Sequence, residues 1–231
     1  MTASPRLAVF DLDGTLTDTN EVDGSCFAAA FQQLFGQPLD EDWGRYPHTT
    51  DAAILDTALA RLPAGADDGE GVERHRDRFV ELLAAAPAEC FRAIRGARDF
   101  LLRLRREGWA LAIATGGWGR SARLKLERAG LADLELPLAS ADDGVARREI
   151  VEAARRRCGH PPATVLFGDG PWDVSTAGEL ELPVIAIASG QRARRLLAAG
   201  ATAAFADYRR PEEMLRAMHR VIARPAPRIS Y

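Results

Sequence analysis

The sequence of 231 residues has few of the features that mark secreted proteins, proteins stabilised by a structural metal, or membrane proteins. Its three cysteines, Cys26, Cys90 and Cys158, are far apart and form no C-x-x-C pair, so neither a disulfide framework nor a zinc cluster is indicated. The first apolar run, residues 7–10, ends at Asp11, which fits neither a signal peptide nor a membrane-spanning helix. We therefore expect a cytoplasmic protein without a membrane partner.

The chain also has no excess of charge of one sign and few aromatic residues. Lys and Arg total 30 against 33 Asp and Glu, the formal net charge is -3, and aromatic residues make up 7%. Without a basic patch or an aromatic platform, no nucleic-acid partner is expected. Lysine is almost absent: Lys125 is the single one, and its place in a helical segment predicts a surface residue.

The composition, 47% hydrophobic and 27% charged, is that of an ordinary globular protein, and the length suits one domain with a smaller companion. Short apolar runs that end at polar or glycine turns predict strands, and segments with a period near 3.6 predict helices between them. The strands are expected at residues 7–10, 109–114, 165–167 and 184–188, with a weaker case at 136–139, and the helices at 97–107, 121–129 and 147–157. This alternation predicts an α/β fold with a Rossmann-like, doubly wound parallel sheet.

Residues 18–93 break the alternation, because they contain helical patterns but no convincing apolar strand. The patterns cover residues 25–35, 51–61 and 72–85, with a loop at 62–71. We therefore predict a smaller all-helical domain at 18–93, inserted into a core formed by 1–17 and 94–231. Residues 224–228 are expected to be a frayed terminus.

Two acidic residues follow the first predicted strand. Asp11 and Asp13 are two apart, so both carboxylates can face the crevice beyond the carboxyl edge of a parallel sheet. One carboxylate can attack phosphorus while its neighbour donates a proton to the leaving oxygen. Gly14 permits a sharp turn, and the hydroxyl and N–H of Thr15 can contact phosphate. The alternative is a strand that simply ends in an Asp-Gly turn.

Three motifs in order resemble those of the haloacid dehalogenase superfamily of phosphohydrolases. They are residues 10–16 (Phe-Asp-Leu-Asp-Gly-Thr-Leu), 113–117 (Ile-Ala-Thr-Gly-Gly) and 168–173 (Gly-Asp-Gly-Pro-Trp-Asp). The resemblance implies that the hydroxyl of Thr115 and the N–H groups of Gly116 and Gly117 hold the transferring phosphoryl group. It also implies that Asp169 and Asp173 bind magnesium. The second motif is also a good turn, and the acids of the last one can instead cap a helix.

The acidic residues at these strand ends suit Mg²⁺, which prefers a few carboxylates, several waters and a substrate phosphate. Asp11, Asp169 and Asp173 supply the carboxylates. By resemblance, Asp13 contributes its backbone carbonyl as a further metal ligand, which leaves its side chain for acid–base work. Mg²⁺ is therefore the expected cofactor.

The family's remaining motif, a lysine before the helix that precedes the last motif, is absent here. Arginines occupy that region, and Arg147 is our choice for the cation that binds the nucleophile and phosphate, with Arg148 as the alternative. A guanidinium is a planar fork rather than a point charge, so the geometry of this contact must differ from the family's.

The insertion at 18–93 resembles the helical cap of the phosphoglycolate-phosphatase-like and β-phosphoglucomutase-like branch, which closes over the site and excludes water. Candidate substrate-binding residues in the cap are in the polar run His48-Thr49-Thr50-Asp51, which can form a loop and helix start facing the site, together with Arg45. Arg120 is the candidate on the core side. The alternatives are that Thr49 or Thr50 caps a helix from Asp51 and that Arg120 is solvated.

These features together predict a hydrolase: a Mg²⁺-dependent phosphomonoesterase that acts on a small phosphorylated metabolite through an aspartyl-phosphate on Asp11. A phosphomutase of the same fold and a non-catalytic protein that binds a phosphorylated metabolite stay open as alternatives. A 2-haloacid dehalogenase is less favoured. Members of that branch are expected to have Asp-x-Tyr at the first motif, whereas this chain has Asp13 in place of the tyrosine.

Overall fold

A computed structural model of the protein describes residues 5–63 and 69–222. Its centre is a six-stranded sheet in which every neighbouring pair is parallel, in the order β3-β2-β1-β4-β5-β6. The strands are β1 (Arg6–Phe10), β2 (Trp109–Ala114), β3 (Leu138–Ala139), β4 (Ala163–Gly168), β5 (Val184–Ile187) and β6 (Ala203–Phe205). The predicted α/β fold with a doubly wound parallel sheet is confirmed. The expectation for residues 224–228 lies outside the described residues.

Nine α-helices accompany the sheet within the described part of the chain. Three belong to the insertion: α1 (Asn20–Phe35), α2 (Asp51–Leu59) and α3 (Gly71–Ala85). The others are α4 (Ala97–Arg106), α5 (Gly119–Arg128), α6 (Arg147–Arg157), α7 (Pro171–Glu179), α8 (Gly190–Ala199) and α9 (Pro211–Ile222). Across residues 5–63 and 69–222, the helices are all too short or too polar to cross a bilayer.

The sheet register brings the three predicted motifs to one edge. Phe10, the last residue of β1, is paired with Ile113 of β2 on one side and with Phe167 of β4 on the other. The residues that follow these strands therefore emerge side by side at the carboxyl edge, which is where open parallel sheets form their crevices.

Both faces of the sheet are buried, which explains why its strands are continuous apolar runs rather than alternating ones. One face packs against α4, α5 and α9, and the other against α6, α7 and α8. The insertion has its own apolar cluster, with Phe27, Phe79 and Leu83 at its centre. Trp118 joins this cluster from the loop after β2, so the core and the insertion are packed together beside the sheet edge.

The chain leaves and re-enters the core along two adjacent segments. Thr17 and Ala93 form an antiparallel bridge. The N–H of Asp18 donates to the carbonyl of Arg92 at 2.7 Å, and the N–H of Ile94 donates to the carbonyl of Leu16 at 2.8 Å. Backbone hydrogen bonds therefore join the segment that leads into the insertion to the segment that leads out of it.

Candidate active site

Asp11, the predicted nucleophile, lies immediately after β1 with only 5% of its surface exposed. Its backbone N–H donates to the carbonyl of Phe167 at 2.9 Å, which continues the β1–β4 pairing and fixes the carboxylate at the sheet edge. Burial raises the pKa of Asp11 to about 7, against the opposing effect of the Arg147 guanidinium, while the Asp173 carboxylate adds to the rise. Positive charge brought to this site favours the ionised, nucleophilic form of Asp11.

Arg147 is the cation that the structure places beside this carboxylate. Its Nη1 lies 3.3 Å from Oδ1 of Asp11 and 2.8 Å from Oδ1 of Asp173, and its Nε donates to the carbonyl of Thr49 at 3.3 Å. It begins helix α6. Arg148, the alternative, is exposed one residue further along the same helix. The geometry therefore favours Arg147 over Arg148 for contact with Asp11.

Three carboxylates form a compact group at the sheet edge. Asp11, Asp169 and Asp173 each have a carboxylate oxygen, and these oxygens all lie within 4.8 Å of one another. Oδ1 of Asp169 is buried without a hydrogen-bond partner among the described residues, whereas its Oδ2 accepts from Asn20 at 3.1 Å and from Arg192. An unpartnered buried carboxylate oxygen in a group of three acids fits a divalent cation with oxygen ligands.

Asp173 has two roles in the geometry. Its Oδ2 accepts hydrogen bonds from the N–H groups of Asp169 at 3.0 Å and Gly170 at 2.9 Å, as the third residue of helix α7. Its Oδ1 faces Arg147 and the other acids. The helix-cap interpretation of this motif is therefore compatible with the metal-binding one, because the cap orients the carboxylate toward the cluster.

The loop after β2 brings Thr115, Gly116 and Gly117 to the same cavity as Asp11. The hydroxyl of Thr115, 1% exposed, accepts from the N–H of Gly117 at 3.1 Å. Gly116 has no room for a side chain, since a Cβ there would lie 2.6 Å from the carbonyl oxygen of Thr49 and 3.0 Å from Nη2 of Arg147. These three residues therefore line the cavity together with Asp11.

The turn after Asp13 depends on Gly14, whose φ of 75° is in the left-handed region that favours glycine. A Cβ at this position would also collide with the Asp169 carboxylate. Thr15 is completely buried: its N–H donates to the carbonyl of Leu12 at 3.2 Å, and its hydroxyl has no partner among the described residues. Gly14 thus lies against the Asp169 carboxylate, and neither Gly14 nor Thr15 is among the residues that line the cavity.

The prediction that Lys125 is a surface residue is wrong. Its side chain is completely buried, and its Nζ lies 2.6 Å from Oδ2 of Asp13 and 2.6 Å from Oδ1 of Asp23. The two carboxylates more than offset the effect of burial, so the pKa of Lys125 lies above its ordinary value. The remaining oxygen of Asp13, Oδ1, accepts from the hydroxyl of Thr19 at 2.5 Å. The predicted acid–base residue is therefore held by a buried ammonium and a threonine.

The insertion contributes part of the wall of a cavity of about 100 Å³ next to Asp11. The cavity is lined by residues of the first two motifs, by Trp172 of the third, by Arg147, and by a group from the insertion: Asn20, Asp23, Gly24, Phe27, Trp43, Thr49, Asp51 and Ile54. Asp51 is buried, and its Oδ2 accepts the N–H of Trp118 at 3.0 Å. Residues of the insertion and the predicted catalytic residues therefore line the same cavity.

The structure does not bring all predicted substrate-binding residues to this cavity. Thr49 reaches it, with its carbonyl bonded to Arg147. His48 is exposed and lines an adjoining surface depression, which shares Thr49, Arg147 and Trp172 with the cavity. Arg45 is exposed and paired with Asp40 and Asp42.

The two remaining predictions in this group concern Arg120 and the helix start near Asp51. Arg120 is exposed and paired with Asp77 of helix α3, so the structure favours the solvated alternative. The hydroxyl of Thr50 accepts from the N–H of Ala53 at 3.3 Å. The helix-cap alternative for this segment thus applies to Thr50, while Thr49 contacts the cavity.

Sequence reasoning missed the buried group around Lys125, although two signals for it were present. Lys125 is the single lysine among many arginines, and it lies between Leu124 and Leu126. It also shares a helix face with Ser121 and Ala122, both buried, four and three residues earlier. Asp23 carried no such signal, because it meets Lys125 only through the packing of the insertion on the core.

The class of protein that carries this fold is shown by a family match over most of the chain. The haloacid dehalogenase-like hydrolases match residues 5–180 of this chain, and the chain belongs to that family. Its predicted membership is thereby confirmed.

Two relatives indicate to which branch of the family this chain is similar. A phosphoglycolate phosphatase of Rhodospirillum rubrum is 27% identical over 212 residues, which cover 88% of each chain. A probable phosphatase, IndB, of Dickeya dadantii is 30% identical over 193 residues, which cover 80% of this chain and 81% of the relative. The predictions of an enzyme, of a phosphatase and of the phosphoglycolate-phosphatase-like branch are confirmed at this level.

Solved structures share the fold. A hydrolase from Pseudomonas syringae superposes with a TM-score of 0.73 at 22% identity, covering 94% of this chain and 99% of that one. CbbY from Rhodobacter sphaeroides, solved in complex with phosphate, superposes with a TM-score of 0.71 at 20% identity, covering 89% and 96%. At these identities the similarity establishes the architecture alone, so residue roles depend on the geometry given above.

Proposed function

We propose that the protein is a Mg²⁺-dependent phosphomonoesterase that acts on a small phosphorylated metabolite through an aspartyl-phosphate on Asp11. The observation that carries the proposal is the grouping of the Asp11, Asp169 and Asp173 carboxylates within 4.8 Å, next to Arg147. Asp169 and Asp173 would hold the cation together with Asp11 and the backbone carbonyl of Asp13. When bound, Mg²⁺ would neutralise charge on these acids and on the phosphoryl oxygens.

In the first step, a carboxylate oxygen of Asp11 attacks the phosphorus of the ester. A bond forms between Asp11 and phosphorus while the bond from phosphorus to the leaving oxygen breaks, and Asp13 gives its proton to that oxygen. Arg147 and the loop at Thr115 hold the equatorial oxygens, where charge is concentrated in phosphoryl transfer.

In the second step, water attacks the phosphorus of the aspartyl-phosphate, and Asp13 takes a proton from that water. The bond between phosphorus and the Asp11 oxygen breaks, which releases inorganic phosphate and regenerates the Asp11 carboxylate. Proton transfer requires Asp13 to reach the leaving oxygen, yet its two oxygens accept from Thr19 and Lys125 in this structure. We therefore expect at least one of these contacts to open during turnover.

The insertion at residues 18–93 is proposed to act as a cap over a core of residues 1–17 and 94–231. The bridge between Thr17 and Ala93 supports these boundaries, since it joins the outgoing and returning connections at one point. The cavity lining, which is shared between insertion and core, supports a role in excluding water and selecting the substrate. The cytoplasmic location stays a prediction.

Hydrolysis of a generic aryl phosphate, with Mg²⁺ and with a chelator, tests the proposal. We expect release of inorganic phosphate that requires the metal and disappears in Asp11→Asn. Asp99→Asn, which changes an exposed carboxylate on helix α4, is the matched control and is expected to keep full activity. Equal activity of Asp11→Asn and Asp99→Asn would refute the assignment of the nucleophile.

Two further assays, of sugar-phosphate isomerisation and of metabolite binding, separate the two alternatives. Isomerisation of a sugar phosphate without net release of phosphate would favour the phosphomutase. Binding of phosphorylated metabolites without any turnover would favour the non-catalytic protein.

A further inference from the structure

The part of the cavity wall that comes from the insertion is acidic. Asp23 of helix α1 and Asp51 of helix α2 both line the cavity, next to Asp13 of the first motif. Lys125 is the one basic side chain bonded to this group in the described chain, and it is shared by Asp13 and Asp23. Three carboxylates against one ammonium leave a formal excess of two negative charges in a largely buried place.

The two insertion carboxylates keep bonding capacity toward the cavity. Lys125 occupies Oδ1 of Asp23, and the N–H of Trp118 occupies Oδ2 of Asp51. Within the described chain, no hydrogen bond or ion pair engages the second oxygen of either carboxylate. Asp51 is buried, with 8% of its surface exposed. A carboxylate oxygen that lines a cavity and has no protein donor is free to accept a hydrogen bond from a ligand in that cavity.

Arg147 does not compensate for this negative charge. It is the single basic residue among the described residues that line the cavity, and its guanidinium is already bonded to Asp11, Asp173 and the carbonyl of Thr49. The leaving group of a substrate therefore meets carboxylates, with no free cation among those lining residues to receive an anion.

Aromatic rings complete the wall. Phe27 and Trp43 line the cavity beside Asp23, with their ring centroids 6.4 Å apart and their planes at 90°. The faces of such rings attract ammonium groups, and carboxylates beside them add a direct charge partner. This pairing of rings and acids is chemically suited to a positively charged group and unsuited to a carboxylate.

We propose that the preferred substrates are phosphate monoesters of amino alcohols, whose cationic leaving group is bound by Asp51 and Asp23. This inference rests on the proposed phosphatase function and specifies its substrate class. The ammonium takes no part in bond making: the bond from phosphorus to the leaving oxygen breaks, Asp11 bonds to phosphorus, and Asp13 protonates that oxygen. Burial raises the pKa of Asp23 to about 6 and that of Asp51 well above its ordinary value, so a bound ammonium would favour their ionised forms.

The test compares kcat/KM for three small esters of similar size: O-phosphoethanolamine, glycerol phosphate and phosphoglycolate. An aryl phosphate serves as the reference for the phosphatase activity itself. We expect kcat/KM for O-phosphoethanolamine to exceed that for phosphoglycolate by about tenfold or more, with glycerol phosphate between them.

Variants assign the preference to the two carboxylates. Asp51→Asn is expected to lower the ratio of kcat/KM for O-phosphoethanolamine to that for glycerol phosphate by about tenfold, mainly through KM. Asp23→Asn should lower the same ratio. The matched control is Asp56→Asn, which changes an exposed carboxylate on the same helix as Asp51 and should leave the ratio as it is.

The outcomes separate the substrate class from the reaction. Turnover of the aryl phosphate together with a preference for phosphoglycolate, or with a ratio unchanged in Asp51→Asn, overturns the substrate inference and leaves the phosphatase in place. Absence of turnover with every ester, the aryl phosphate included, contradicts both.

Discussion

At the scale of single residues, the buried Lys125 is the feature that most changes the picture of the site. An ammonium bonded to two carboxylates at 2.6 Å satisfies charges that would otherwise be buried without a partner. Removing one member of such a group is far more costly than removing an exposed ion pair, because the charges left behind stay desolvated.

Lys125→Met is therefore expected to lower the free energy of unfolding by about 3 to 5 kcal/mol. Adding Asp23→Asn to that variant should recover part of the loss, because it removes one of the two carboxylates left without the ammonium. Urea denaturation of the single and double variants measures both effects. Arg123→Met, an exposed basic residue on the same helix, is the control and should change stability by only a few tenths of a kcal/mol. A further loss of stability on adding Asp23→Asn would contradict the pairing.

The sequence indicated those site residues whose placement depends on local pattern. Asp11, Thr115 and Asp169 each follow a short apolar run, and parallel strands bring such residues to one edge. Lys125 and Asp23 were not assigned to the site, because they meet across the packing of the insertion on the core. Asp51 belongs to the polar run at residues 48–51, which the sequence predicts as a loop and helix start facing the site.

At the scale of elements, the same distinction explains which parts of the fold were predicted. Strands β1, β2, β4 and β5 were close to their predicted positions because burial on both faces makes them apolar throughout. Helix α1 begins at Asn20, five residues before the predicted start, because its first turn is polar and half exposed and shows no apolar period. Helices α7 to α9 and the half-buried strand β6 were not assigned individually.

The packing of helix α3 on helix α1 includes a buried histidine. His75 is completely buried, its Nε2 lies 3.0 Å from the carbonyl oxygen of Phe27, and its ring centroid is 5.9 Å from that of Trp118. Since a carbonyl only accepts, Nε2 carries the proton of a neutral ring. Burial lowers the pKa of His75 to about 4, and the hydrogen bond to Phe27 offsets this in part.

His75 should therefore make the protein less stable in acid. Its pKa in the folded state is below the ordinary value of 6.5, so its contribution is complete above about pH 6.5 and is lost as the pH falls toward 4. We expect His75→Phe to reduce the stability lost between about pH 7 and about pH 4 by on the order of 2 kcal/mol. Urea denaturation at the two pH values tests this, with the exposed His48→Phe as the control. An unchanged pH dependence in His75→Phe would show that the ring titrates normally.

At the scale of the whole molecule, stability and metal binding should be linked through the acids at the sheet edge. Burial raises the pKa of Asp11 to about 7 and also raises that of Asp173. Because both pKa values are higher in the folded than in the unfolded state, ionisation of these groups lowers stability as the pH rises from about 4 to about 7. A bound divalent cation would reverse this cost by favouring the ionised forms.

The increase in Tm caused by Mg²⁺, measured against a chelator, is therefore expected to grow as the pH rises from about 5 to about 8. At about 100 times its Kd the metal should stabilise the fold by about 2.7 kcal/mol, a change of several degrees in Tm. Differential scanning calorimetry with Asp169→Asn as a second sample tests the assignment, since that variant should lose most of the increase. An increase in Tm that is independent of pH, or equal in Asp169→Asn, would place the metal elsewhere.

The central claim is that Asp11 carries the phosphoryl group during turnover, and trapping that group tests it most directly. In Asp13→Asn, an aryl phosphate with a good leaving group needs no proton for the first step, whereas the second step lacks its base. We predict a burst of about one equivalent of aryl alcohol per enzyme, with one phosphoryl group on the peptide that contains Asp11 in mass spectra after acid quenching. No modified peptide in Asp13→Asn, or a phosphoryl group on any residue other than Asp11, would contradict the mechanism.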